Sequence, residues 1–141
     1  MLYKLLKHKI ITKGNPILMK PRRQPANLED KIEDLIKNLE DNKIIKRCDS
    51  PRNTPMVCVW KKDKQGIRLC LDFRQLNKVT ERPAYPMPNI EEILDSLNGA
   101  RVFSTIDLGN AYYQVELDED SKLKTAFSTK SGQFSFNRMP F

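Results

Sequence analysis

Residues 102–115 read V-F-S-T-I-D-L-G-N-A-Y-Y-Q-V: an apolar, β-branched run closed by one acid, Asp107, then a turn at Gly109 and the aromatic pair Tyr112-Tyr113. The run is of strand length and composition and predicts a strand over residues 102–106. Residues 109–113 then read as a turn or short helix, and residues 114–117 as another strand. An acid placed where a strand gives way to a turn is presented at the lip of a sheet.

Upstream of this run, Asn89 is positioned to cap a short helix whose apolar face is Ile90, Ile93, Leu94 and Leu97 and which ends at Gly99. Downstream, Asp118-Glu119-Asp120 reads as a solvated polar turn. Residues 125–128 and 133–136 read as a hairpin around Lys130-Ser131-Gly132. Nearer the N-terminus, Leu28, Ile32, Leu35, Ile36 and Leu39 recur at helical spacing. They predict an amphipathic helix from Asn27, its N-cap, to about Glu40, with Glu29 and Asp30 in the first turn, where acids suit the helix dipole. The runs 56–60 and 67–71, joined by K-K-D-K-Q-G, read as a β-hairpin with a basic tip. Prolines at 16, 21 and 25 make residues 1–25 an extended lead-in. The Pro-rich crossing R-P-A-Y-P-M-P separates residues 26–82 from 83–141. Helix and sheet alternating on this scale predict an α+β fold.

A chain of 141 residues can form one domain that buries about two-thirds of its unfolded surface. No apolar run approaches the roughly 20 residues that a bilayer requires, and the N-terminal apolar stretch is too short for a signal peptide. The expected setting is intracellular, in the cytoplasm, with no membrane partner. Cys48, Cys58 and Cys70 are odd in number, lack a C-x-x-C pair and are remote from the single histidine, His8, so reduced thiols are expected rather than zinc or a disulfide. Cys58 and Cys70 lie in strand-like runs and read as core. The net charge of +7 is uneven: residues 1–80 carry a net +10 and residues 81–141 a net −3. The basic half is an electrostatic footprint for a polyanion, and the acidic half holds Asp107.

With L-D-F-R-Q-L-N-K upstream and K-T-A-F and F-N-R-M-P-F downstream, residues 102–115 resemble the first active-site motif of reverse transcriptases, most closely those of gypsy-type LTR retrotransposons. The resemblance runs from about His8 to Phe141, with its motifs in order and suitably spaced. It implies the fingers and partial palm of a right-hand polymerase, truncated before the family's Tyr-x-Asp-Asp hairpin, a motif this sequence does not contain. Residues 26–82 would be fingers-like and 83–141 palm-like. The partners implied are an RNA or DNA template-primer, deoxynucleoside triphosphates and the remainder of a Pol polyprotein.

Nucleotidyl transfer uses two divalent metals about 4 Å apart, held by carboxylate oxygens from more than one residue. By resemblance the cofactor is Mg²⁺, with Asp107 as catalytic carboxylate and metal ligand and the Leu108 carbonyl beside it. An isolated strand-end Asp is commonly a cap or ion-pair partner; the flanking motifs reverse that reading here. Tyr112 matches the residue whose ring lies beneath the incoming sugar and excludes a 2′-hydroxyl. The backbone amides of Asn110 and Ala111 would face the triphosphate, and Tyr113 reads as core. Lys61, or Lys62 in its place, and Arg68 match the residues that grip the triphosphate, where a guanidinium binds bidentately and a lysine acts as a point charge. Asp72 and Arg74 complete the R-x-x-x-D-F-R pattern and are expected to contact template or brace the fingers. Phe141 stands where retroviruses often carry glutamine. The expected function is that of a fragment of an RNA-directed DNA polymerase, inactive alone because two of three carboxylates are missing. The alternatives are a non-enzymatic nucleic-acid-binding remnant and an incomplete retroelement gene product.

Overall fold

A computed structural model of the chain describes residues 7–61, 66–82 and 84–141. Its helices are α1 (Glu29–Asp41), α2 (Arg74–Val79), α3 (Ile90–Ser96) and α4 (Glu119–Lys122). Its strands are β1 (Lys7–His8), β2 (Ile45–Arg47), β3 (Met56–Trp60), β4 (Ile67–Leu71), β5 (Glu116–Leu117), β6 (Phe127–Thr129) and β7 (Gly132–Phe136). This is the α+β architecture that the alternating patterns predict. None of the described helices is long and apolar enough to cross a membrane.

The core is built on the β6–β7 hairpin. Phe127, Phe134 and Phe136 are fully buried, and the Phe127 ring lies 6.0 Å from Phe134 and 5.5 Å from Phe136 between centroids. β7 is the centre of an antiparallel sheet of order β2-β7-β6, in which Ile45 pairs with Phe136. α1 covers it with the face that the sequence spacing marks out: Ile32, Ile36 and Leu39 are buried, with Leu28 just before the helix. Each of these side chains contributes roughly 1.5–3 kcal/mol through burial.

The start of α1 differs from the sequence expectation. Asn27 does not cap it; Ala26–Leu28 form a 3₁₀ turn, closed by Leu28 N–H donating to Pro25 O at 3.0 Å, and Leu28 occupies the cap position. The tight turn does by backbone hydrogen bonding what a cap side chain would do. By contrast, Asn89 caps α3 as expected, accepting from Glu91 N–H at 3.2 Å.

Two further differences lie in the C-terminal half and one in the N-terminal half. Asp118-Glu119-Asp120 is not a loop, since Asp118 precedes α4 and Glu119 and Asp120 form its first turn. There the Asp118 carbonyl accepts from both Ser121 and Lys122 N–H, and Lys122 Nζ donates to Glu119 at 2.6 Å. The predicted strand at 102–106 is absent, and residues 101–110 are exposed throughout. A strand exists through its ladder, and none of the described strands pairs with this run, so strand composition has nothing to hydrogen-bond against. α2 was not foreseen from the pattern; it is short, and only Leu76 is buried.

β3 and β4 form the predicted hairpin in antiparallel register, Val57 opposite Cys70 and Val59 opposite Arg68. Opposed residues share a face, so the hairpin has two distinct sides. Met56, Cys58 and Ile67 are buried against the core, while Val57, Val59, Arg68 and Cys70 face the other way. Hence Cys58 is core, as expected, but Cys70 is exposed. Burial pushes the Cys58 thiol up to about 11. At pH 8, iodoacetamide is expected to label Cys70 readily and Cys58 at least about tenfold more slowly, as read by peptide mass spectrometry.

Polar side chains fasten the irregular segments to this core. Buried Asn53 donates to Met19 O at 2.7 Å and accepts from Ser128 Oγ at 2.7 Å, tying the lead-in to β6. Gln133 accepts from Ser50 N–H at 2.7 Å and donates to Ser50 O and Arg52 O, fixing the loop after β2.

Candidate functional site

Between the lead-in, the outer face of the β3–β4 hairpin, α2 and residues 139–141 lies a cleft of about 670 Å³. Its walls include Val57 and Cys70 from the hairpin, Asp72 and Arg74 from the turn into α2, and Tyr112 and Phe141 from the C-terminal half. Val57 and Phe141, 84 positions apart in sequence, thus meet in one depression.

Asp72 is its electrostatic centre. Arg74 binds it bidentately, Nε to Oδ1 at 2.8 Å and Nη2 to Oδ2 at 2.7 Å, and Arg22 Nη2 reaches Oδ2 at 3.2 Å. The Arg74 hydrogen bonds, assisted by the charges of Arg74 and Arg22, hold the Asp72 carboxyl down at about 2. Because the folded value lies below the ordinary carboxylate range, the stabilisation is complete above about pH 4 and is lost as pH falls through about 2. A ¹³C titration of the Asp72 carboxyl is expected to show it ionised throughout pH 3–8. One anion against two guanidiniums leaves the cluster net positive, suited to an anionic ligand.

Tyr112 and Tyr113 separate as the sequence suggests. Tyr113 is half-buried, its ring stacked on Phe136 at 6.4 Å, and burial raises its hydroxyl. Tyr112 stays exposed at the cleft, its ring edge-to-face with Phe141 at 5.2 Å. The left-handed residue of the preceding turn is Asn110, at φ 49°, and not Gly109. Asparagine tolerates that conformation better than most side chains. Ala111 then opens a 3₁₀ turn, Ala111–Gln114, in which Tyr113 N–H donates to Asn110 O at 2.9 Å.

Arg68 is exposed on the same hairpin face as Cys70, one side-chain repeat or about 7 Å further toward the tip. Lys61 N–H donates to Gly66 O at 2.9 Å just beyond the strands. Lys62, the alternative to Lys61, lies outside the described residues. Asp107 and Leu108 are exposed in the segment before the turn and do not line the cleft. The structure therefore brings Asp72, Arg74 and Tyr112 together, with Arg68 on an adjoining surface, and leaves Asp107 apart.

Among the described residues no three His, Cys, Asp or Glu side chains gather as a ligand set. One carboxylate and one carbonyl at Asp107-Leu108 do not fit the demands of a two-metal centre.

Arg22, Gln24 and His8 belong to this region and were not singled out by sequence reasoning. His8 and Arg22 line the cleft, and Gln24 hydrogen-bonds the edge of β3. Their partners lie tens of residues away, so only the proline-flanked P-R-R-Q-P string hinted at an extended, basic contact segment.

The family described as Reverse transcriptase (RNA-dependent DNA polymerase) matches residues 59–141. Over 96% of its length the chain is 40% identical to the retrovirus-related Pol polyprotein from transposon 297 of Drosophila melanogaster, and over 91% it is 38% identical to that from transposon gypsy of the same organism. It spans 13% of each of those relatives. The prototype foamy virus protease-reverse transcriptase superposes on 97% of the chain with a TM-score of 0.82 at 26% identity, the chain covering 18% of it. The foamy viral enzyme in complex with an RNA/DNA hybrid gives 0.79 at 25% identity, with the same 97% and 18% coverage. With the family pattern over more than half of its residues, and a matching fold over nearly all of them, the chain belongs to the reverse transcriptase family.

Proposed function

We propose that the chain is the part of an RNA-directed DNA polymerase that holds the incoming deoxynucleotide and the template near it. Residues 26–82 act as fingers and 83–141 as partial palm. One observation carries this reading: Asp72, Arg74 and Tyr112 share a net-positive cleft beneath the hairpin face that bears Arg68. Around it, Arg68 and Lys61 on the adjoining hairpin grip the triphosphate, Tyr112 lies under the sugar, the amides of Asn110 and Ala111 face phosphate oxygens, and Arg74 with Asp72 braces the template side. In a polymerase that supplies the family's two further carboxylates, Asp107 and the Leu108 carbonyl would contribute one set of oxygens toward Mg²⁺, which would activate the attacking oxygen and stabilise the leaving one.

The test is anisotropy titration of a labelled RNA/DNA template-primer across salt concentrations. Arg68→Ala is expected to weaken binding and to lower the slope of log K against log salt by about 1. Asp107→Asn without metal should leave both unchanged. Salt-independent binding, or equal losses in the two variants, would overturn the proposal.

A second reading is a nucleic-acid-binding remnant without chemistry, supported by the net-positive cleft alone. It shares the binding prediction and differs in what happens once further palm sequence is supplied: the remnant gains no extension activity.

A further inference from the structure

We infer that Gln24 is a positioning residue that sets the β3–β4 hairpin over the cleft. This rests on the proposed role of that hairpin in gripping the triphosphate. The Gln24 carboxamide lies along the outer edge of β3, where its Nε2 donates to Met56 O at 2.6 Å and its Oε1 accepts from Cys58 N–H at 3.2 Å. The second Nε2 hydrogen goes to Arg22 O at 3.0 Å. Both amide hydrogens and the oxygen are therefore engaged. Donor and acceptor address a carbonyl and an amide two residues apart on one strand, so the side chain pairs with the edge of β3 as a neighbouring strand would.

Arg22, two residues earlier, holds the other strand's exit through Asp72, which follows β4 directly. The lead-in thus clasps the hairpin at the base of both strands, by neutral hydrogen bonds on one and by an ion pair on the other. Beyond these clasps the hairpin extends to Arg68 and Lys61, and Val59 and Trp60 near its tip are exposed. Any swing of the hairpin about its base displaces Arg68, about three residues and 10 Å further out, more than the clasp itself. Neutral, half-buried hydrogen bonds keep this clasp independent of salt, in contrast to the Arg22–Asp72 pair.

The experiment uses the whole 141-residue chain, with inorganic tripolyphosphate as the probe in calorimetry and amide hydrogen exchange read by NMR. Gln24→Met keeps the length and packing of the side chain and removes its hydrogen bonds. It is expected to speed exchange of the Cys58 amide about tenfold, to leave Phe134 and Phe136 amides unchanged, and to weaken tripolyphosphate binding about fivefold. Gln24→Leu, which likewise removes the hydrogen bonds and adds no charge, is expected to show the same pattern and serves if the methionine variant does not fold. A merely structural role would lower the melting temperature and leave tripolyphosphate affinity as it was; that result overturns the inference. Arg68→Ala separates the two failures. If Arg68→Ala loses binding while the Gln24 variants keep it, only the positioning role falls. If Arg68→Ala binds like the parent chain, the phosphate-gripping reading falls and the inference with it.

Discussion

Incubated with poly(rA), oligo(dT), thymidine triphosphate and Mg²⁺, the 141-residue chain is expected to add no nucleotides to the primer. Two-metal phosphoryl transfer draws several kcal/mol of transition-state stabilisation from its ions, which corresponds to a loss of about 10⁴-fold or more when they cannot be held. Asp107 is exposed, no described carboxylate set surrounds it, and the Tyr-x-Asp-Asp motif that carries the family's other two acids does not occur in the sequence. The cleft around Asp72 and Tyr112 is formed, whereas no carboxylate set gathers about Asp107 among the described residues. Extension by the chain that disappears in Asp107→Asn would refute this, and gel analysis of a 5′-labelled primer reads it directly.

The largest expected effect on stability comes from Phe127→Ala. Phe127 has no exposed surface, its ring touches Phe134 and Phe136, and its strand is at the edge of the sheet. Deleting the ring opens a cavity against Phe134 and Phe136 of β7, and such truncations cost about 3–5 kcal/mol. Domains of this size have only about 5–15 kcal/mol of stability in total, so the variant should be largely destabilised in urea at concentrations the parent tolerates. By comparison, Tyr85→Ala at an 87% exposed site should shift the urea midpoint little. Equal midpoints for Phe127→Ala and the parent would show that the core does not centre on this hairpin.

Some of the fold was legible because its cause is local. The apolar period of α1, the hairpin of β3 and β4, the β6–β7 hairpin and the Asn89 cap each depend on residues within a few positions of one another, and each stands as read. The failures share the opposite property. Residues 102–106 carry strand-forming side chains, yet a strand requires a neighbour, and sequence composition does not say whether one is present. Cys70 was read as core because its run is apolar, whereas the register with β3 places it on the outward face with Arg68. Asp118–Asp120 looked like a loop because acids are solvated; the helix they open is too short for periodicity to show.

The candidate site divides along the same line. The residue types and spacing of Arg68, Asp72, Arg74, Asp107 and Tyr112 are enough to indicate the family, since ordered motifs are properties of the string. What the string alone determined is therefore the family, the α+β class, the principal helix face and the chemical kinds of group available. Only the tertiary structure decided which of them meet. Asp72 becomes the hub of Arg22 and Arg74 because the lead-in folds back 50 residues onto the turn into α2, and Gln24 pairs with a strand edge 32 residues away. Asp107 stays apart because no described strand holds residues 102–106 against the sheet. Long-range hydrogen bonds and ion pairs form only when chain closure has brought their partners together, and closure is driven by burial of the core, in which Phe127, Phe134 and Phe136 pack with Leu117 at the cleft wall.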